Sequence, residues 1–202
     1  MPPRAALGHI FAATLAVLEH SSICHGLSRL LPDTAWFLRR QQSALHHRAK
    51  FIARLLVNRL PVVYSLARAT DAVADRWRCQ LNENAGVMCH TSTLPEHNHN
   101  ELVGMGQPAP FGRQAVLIVL VDRPDTHART QRRLNSVLSV TRGSFSRIVR
   151  ATSRGPTRLA RVFSLIMLGD LVSVELARLR GKDAMEIDRI DRLKKLMART
   201  RR

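Results

Sequence analysis

Ala115-Val116-Leu117-Ile118-Val119-Leu120-Val121 is a run of seven apolar residues with no polar alternation. A strand with one wet face alternates polar and apolar residues. This run therefore reads as a strand buried on both faces, as in a parallel sheet covered by helices on either side. Short apolar segments flank it on both sides of the chain. Leu60–Tyr64 and Val87–Thr91 precede it as candidate strands, and Phe145–Ala151 follows it. Helical patterns separate them: Ala69–Gln80, and a segment with Ala128, Leu134, Val137 and Leu138 on one face. The rhythm predicts right-handed crossovers and an α/β fold with a doubly wound parallel sheet.

Helices bracket this block. Leu7, Ile10, Phe11, Leu15 and Leu18 recur at spacings of three and four, predicting a helix over Ala5–Glu19. A second is expected from Asp33 to Val57, with Pro32 as stop and Asp33 as cap. Arg4 followed by Ala5–Leu18 also has the form of a signal peptide. The segment after it, residues 20–26, lacks a small-x-small cleavage site, so the amphipathic helix is preferred. Pro156–Leu179 is apolar nearly all round and is expected to be the central buried helix, ended by Gly181. A last helix is expected over Ala184–Arg199, and Gly104–Gly112 reads as a loop. The expected organisation is a helical connection over 1–58 and an α/β domain over 59–202.

The 202 residues, 45% apolar and 23% charged, are enough for one such domain and wrong for a disordered chain. Cys24, Cys79 and Cys89 are too few and too scattered for a disulfide scaffold, which points to reduced thiols and the cytoplasm. No apolar stretch reaches the length of a membrane span. The net charge of +17 comes from 28 Arg and four Lys spread through every expected element. With aromatics at 4%, base-stacking platforms are scarce. A solvated basic surface with some affinity for phosphates is favoured over a nucleic-acid partner.

The segment Gln80–Glu101, QLNENAGVMCHTSTLPEHNHNE, places polar residues where a crossover should run from helix to strand. Glu83 precedes the expected second strand, and His97 and His99 follow it. A carboxylate and an imidazole in one cleft could do general acid–base work. The plain alternative is a polar loop whose side chains satisfy backbone groups. Cys89, His90, His97 and His99 are too irregularly spaced for a zinc site, and no metal is expected. In the last helix Ile187, Ile190, Leu193 and Met197 form one apolar arc. Lys194 falls inside that arc and Lys195 outside it. Lys194 is thus expected to face a cleft, pair with an acid, or snorkel along the stripe. Asp170, in the buried helix, is expected to have a capping or packing partner.

The run QLNENAG…LPEHNHNELVGM resembles the QxNENAK…LPExNHNExVG stretch of the bifunctional phosphoglucose/phosphomannose isomerases, proteins built from sugar isomerase (SIS) domains. LARVFSLIMLGDLVSVELARLRGKDAMEIDRIDRLKKLM is similar to the carboxy-terminal half of the same family. Pro3-Arg4-Ala5-Ala6-Leu7-Gly8 is similar to the segment that follows the family's first SIS domain. The resemblance implies a SIS-like (flavodoxin-like) fold and aldose–ketose isomerisation between glucose 6-phosphate or mannose 6-phosphate and fructose 6-phosphate. It implies Glu83 as the base that moves a proton between C2 and C1, and His99 with Lys194 as the ring-opening acid/base pair. It implies Arg4 as the cation that steadies the enediolate. No metal or cofactor is called for.

The chain departs from the family pattern in three places. The first SIS domain, with its Ser/Thr-rich phosphate loop, is not in this sequence. The turn Ser65–Thr70 has no glycine, and the lysine expected after NENA is Gly86. The implied partners are a sugar phosphate and either a second copy or a separate first SIS domain, paired through an exposed apolar patch. A non-catalytic SIS domain that binds sugar phosphate or a partner chain is the alternative, and a basic nucleic-acid-binding module the weakest reading. Glu83 and His99 are expected at the same edge of the sheet.

Overall fold

The computed structural model describes residues 3–66 and 69–199. Its centre is a four-stranded, all-parallel sheet in the order β2-β1-β3-β4. The strands are β1 (Leu60–Ser65), β2 (His90–Thr93), β3 (Ala115–Val121) and β4 (Arg147–Thr152). β3 lies in the interior, with Val63 opposite Ile118 on one side and Ile118 opposite Val149 on the other. The seven-residue apolar run is fully buried, as expected. Val116, Ile118 and Leu120 point into one core, and Ala115, Leu117, Val119 and Val121 into another.

The first core is closed by α2 (Leu30–Leu56), α3 (Ala69–Glu83) and α7 (Arg158–Leu179). The second is closed by α6 (Ala128–Val140) through Leu134, with Leu94, Met105 and Phe145. α7 is packed on two sides, against the sheet and along α2, which is why its sequence is apolar nearly all round. α3 packs closely along α7, and the Trp77 ring lies over Gly169 with its indole N–H donating to the Leu165 carbonyl at 2.9 Å. At the carboxyl edge of the sheet the buried Asp122 carboxylate accepts hydrogen bonds from Arg161 Nε at 2.8 Å and Ser153 Oγ at 2.6 Å, tying β3 to the start of α7. The remaining helices are α1 (Leu7–His20), the short α4 (Glu101–Gly104) and α5 (Ala109–Gln114), and α8 (Asp188–Arg199).

Several boundaries differ from the sequence reading for identifiable reasons. α2 begins at Leu30, so Pro32 sits inside its first turn. The first-turn N–H groups have no helical partner, and a proline there costs no hydrogen bond. β2 starts three residues later than expected, because residues 84–87 are spent closing α3. Gly86 adopts φ +63° and the Val87 N–H turns back to the Leu81 carbonyl at 3.2 Å. The stretch Gly104–Gly112, read as a loop, includes the first turn of α5. No helix among the described residues is long and apolar enough to cross a membrane.

Candidate active site

Glu83 is the last residue of α3, and a cluster of polar side chains gathers around it. Arg4 projects its guanidinium onto this point. Nη1 stands 3.3 Å from Glu83 Oε2, Nε donates to Asn84 Oδ1 at 2.8 Å, and Nη2 donates to the Ala184 carbonyl at 2.8 Å. The Arg4 side chain is 12% exposed and that of Glu83 38%, so the cation is held and the carboxylate remains reachable. Asn84 is itself fixed by Ser173 Oγ of α7 at 2.9 Å. Asp170, one turn earlier on α7, pairs with Arg76 at 2.8 Å and accepts from Gln80 Nε2 at 3.0 Å. Arg76 in turn donates to the Arg4 carbonyl at 2.9 Å. Asp170 is thus a packing partner, and its pairing steadies the segment that carries Arg4.

Glu83 opens onto a cavity of about 670 Å³. Gly86, Val87 and Met88 form one wall, and Lys182, Glu186 and the first turn of α8 the other. The Lys182 ammonium donates to the Glu83 carbonyl at 3.1 Å. Neither Lys182 nor Asn84 was singled out from the sequence. The only available hint was Gly86, where the motif leads one to expect a lysine.

Lys194 and His99 are not part of this cavity wall. Lys194 lies on the exposed part of α8, its side chain 69% exposed and 3.8 Å from the half-exposed Asp191. Such a surface pair contributes little. Lys195 is exposed as well. The arc that contains Lys194 is not buried within this chain: Ile190, Leu193 and Met197 are 39%, 57% and 63% exposed. The expectation that Lys194 faces a cleft therefore does not hold for the single chain.

His99 ends a short 3-10 turn, Glu96–His99, and is exposed. It follows β2 and stands at the carboxyl edge of the sheet. Glu83 stands at the amino edge. α3 runs antiparallel to the strands, and its fifteen residues span roughly 20 Å. The expectation that Glu83 and His99 share an edge is therefore corrected. A helix that returns from the carboxyl edge ends at the amino edge, whereas the loop after the next strand lies at the carboxyl edge once more.

A second polar cluster surrounds the turn of His99. Its neighbour His97 is fully buried, edge-to-face with Tyr64 at 4.8 Å between ring centroids, and neither ring nitrogen has a hydrogen-bond partner among the described residues. Burial holds the His97 imidazole below its usual range, against a smaller opposing pull from Glu101. Glu101 accepts from Tyr64 Oη at 3.1 Å and lies 3.0 Å from His90 Nε2. Burial pushes the Glu101 carboxyl up, but hydrogen bonds from Ser92, His90 and Tyr64 outweigh it and hold the group low.

A pH dependence follows from His97. Its folded-state pKa lies below its unfolded value of about 6.5, so the folded chain resists taking the proton. Stability is expected to be full above that value and to fall as pH drops below it, by up to about 1.4 kcal/mol per pH unit. Urea midpoints between pH 7.5 and 5 measure this. His97→Phe should flatten the slope, and an equal slope in that variant places the dependence elsewhere.

Other groups near the strands carry less. Burial pushes the Cys89 thiol up to about 12, which makes it a poor nucleophile. No three His, Cys, Asp or Glu side chains among the described residues come together to hold a metal. In the glycine-free turn from β1 into α3, Ser65 Oγ donates to Asp71 at 2.6 Å and lies 2.8 Å from Thr93 Oγ1. The first turn of α3 thus carries its own carboxylate, which disfavours a phosphate there.

Residues 45–197 match the family described as the bacterial phospho-glucose isomerase C-terminal SIS domain. A bifunctional phosphoglucose/phosphomannose isomerase of Caldicellulosiruptor bescii is 32% identical over 98% of this chain and 60% of its own length. One from Thermoplasma volcanium is 33% identical over 82% of this chain and 53% of its own length. The chain therefore spans roughly half to three fifths of these relatives. Among solved structures, the hypothetical protein TT0462 of Thermus thermophilus superposes with a TM-score of 0.69 at 10% identity, covering 87% of this chain and 50% of that one. Tagatose-6-phosphate ketose/aldose isomerase of Escherichia coli gives 0.56 at 13% identity, covering 86% and 49%. These two show the fold alone. With the motif, the family match and the relatives in agreement, the chain belongs to the bacterial phospho-glucose isomerase family and carries its C-terminal SIS domain.

Proposed function

We propose that this chain is the catalytic-base half of a sugar-phosphate aldose–ketose isomerase acting between glucose 6-phosphate or mannose 6-phosphate and fructose 6-phosphate. The observation that carries the reading is the Arg4–Glu83 pair, 3.3 Å apart on the rim of the cavity. In the open-chain aldose Glu83 takes the proton from C2. The pair of electrons left behind forms the cis-enediolate, and Glu83 returns the proton to C1 while the O2 hydroxyl proton passes to O1. Arg4, already fixed by Asn84 and Ala184, faces the charge that develops on the two oxygens without having to reorganise.

His99 and Lys194 open the ring in this reading, and a second chain must bring His99 to Glu83, because the two lie at opposite edges of one sheet. A two-fold pair that sets the amino edge of one copy against the carboxyl edge of the other forms two such sites. The exposed apolar residues of α8, and Ile10 and Val17 of α1, 51% and 64% exposed, support a protein partner. A second copy of this chain supplies His99, and a separate first SIS domain supplies the phosphate loop. The compartment that fits three free cysteines is the cytoplasm.

The isolated chain is expected to turn over fructose 6-phosphate poorly, because binding energy from the remote phosphate normally holds the reacting carbons in place. Adding the first SIS domain as a separate chain should restore turnover, and sedimentation should show the chain leaving the monomer. Full activity at low substrate from a stable monomer contradicts this arrangement. Sugar-phosphate binding without turnover in any combination favours the non-catalytic SIS domain instead.

A further inference from the structure

We propose that Lys182 is a positioning residue for Glu83, holding the end of α3 from which the carboxylate projects, in the place of the lysine expected at Gly86. The proposal rests on the reading of Glu83 as the base. Lys182 lies in the connection between α7 and α8 and is half-buried. Its ammonium donates to the Glu83 carbonyl at 3.1 Å and reaches the Glu186 carbonyl at 3.5 Å. The last carbonyls of a helix have no partner within it, and a cation there both satisfies them and opposes the helix dipole.

The Lys182 stem runs across Gly86. A Cβ at residue 86 would stand 3.3 Å from its Cδ, 3.4 Å from its Nζ and 3.5 Å from its Cε. A side chain at 86 and the Lys182 stem therefore compete for one space. With glycine at 86 that space is open, and the ammonium arrives from the other wall of the cavity. Arg4 makes the complementary tie, from the Glu83 carboxylate to the Ala184 carbonyl. Two cations thus stitch residues 182–186 to the end of α3, one through the backbone of Glu83 and one through its side chain. Lys182 sets where the base starts, and Arg4 where it points.

Amide hydrogen exchange on the full chain tests this. In Lys182→Ala, the Asn84 and Val87 amides, which bond to Gln80 and Leu81, are expected to exchange about tenfold faster, with Val73 and Trp77 unchanged. Lys182→Arg should keep the protection. Unchanged exchange at Asn84 and Val87, or uniform acceleration along α3, overturns the proposal. In the reconstituted two-domain system, Lys182→Ala should lower kcat about tenfold and leave KM within about threefold. Normal kcat in Lys182→Ala, where Glu83→Gln abolishes turnover, also overturns it. If Glu83→Gln leaves turnover intact, or if no combination turns over, the base reading fails and the exchange result alone decides whether Lys182 holds the turn.

Discussion

Glu83→Gln is expected to lower fructose 6-phosphate turnover by about a thousandfold, with KM little changed. The amide is nearly isosteric with the carboxylate and still offers an oxygen to Arg4. Arg4 itself stays anchored by Asn84 and Ala184, so the cavity should keep its shape. What is lost is the ability to accept a proton from carbon, and no arrangement of the remaining groups replaces that. Stability should move by less than about 1 kcal/mol, since the pair is partly open to solvent. The measurement is turnover of the chain reconstituted with the first SIS domain, together with deuterium uptake at the substrate carbons in heavy water. Both should disappear together. Turnover that survives the substitution means that another group is the base.

Gly169→Ala is expected to destabilise the fold by about 2–3 kcal/mol, lowering the melting temperature by roughly 5–10 °C. In an open helix the same change stabilises by about 1 kcal/mol, because glycine has the greater backbone freedom to lose. Here the sign reverses. A Cβ at 169 would lie inside the contact distance of the Trp77 ring, which is fully buried and bonded to the Leu165 carbonyl. The ring must move, and α3 moves with it. Since Glu83 ends α3, turnover should fall as well, which Trp77 fluorescence and the two-domain assay read separately. A variant that melts with or above the unmodified chain shows that the α3–α7 contact has room to spare.

Local patterns carried most of the fold. A continuous apolar run such as Ala115–Val121 can be satisfied only by burial on both faces, and an apolar helix such as Arg158–Leu179 only by packing on two sides. Spacing alone therefore determined the parallel α/β architecture. The NENA and NHNE stretches likewise determined the family, because they are contiguous in the chain. Placement across the chain needed the tertiary structure. Glu83 and His99 are sixteen residues apart in sequence, yet β2 runs between them and carries the chain from the amino edge of the sheet to its carboxyl edge. Lys194 sits on an arc whose pattern calls for burial, but whether anything covers an amphipathic helix depends on surfaces beyond it. Arg4 meets Glu83, and Lys182 lies over Gly86, through contacts between segments some 80 and 100 residues apart. The physical reason is the range of the forces: periodicity reports which side of an element avoids water, and says nothing of which distant side chain will meet it there.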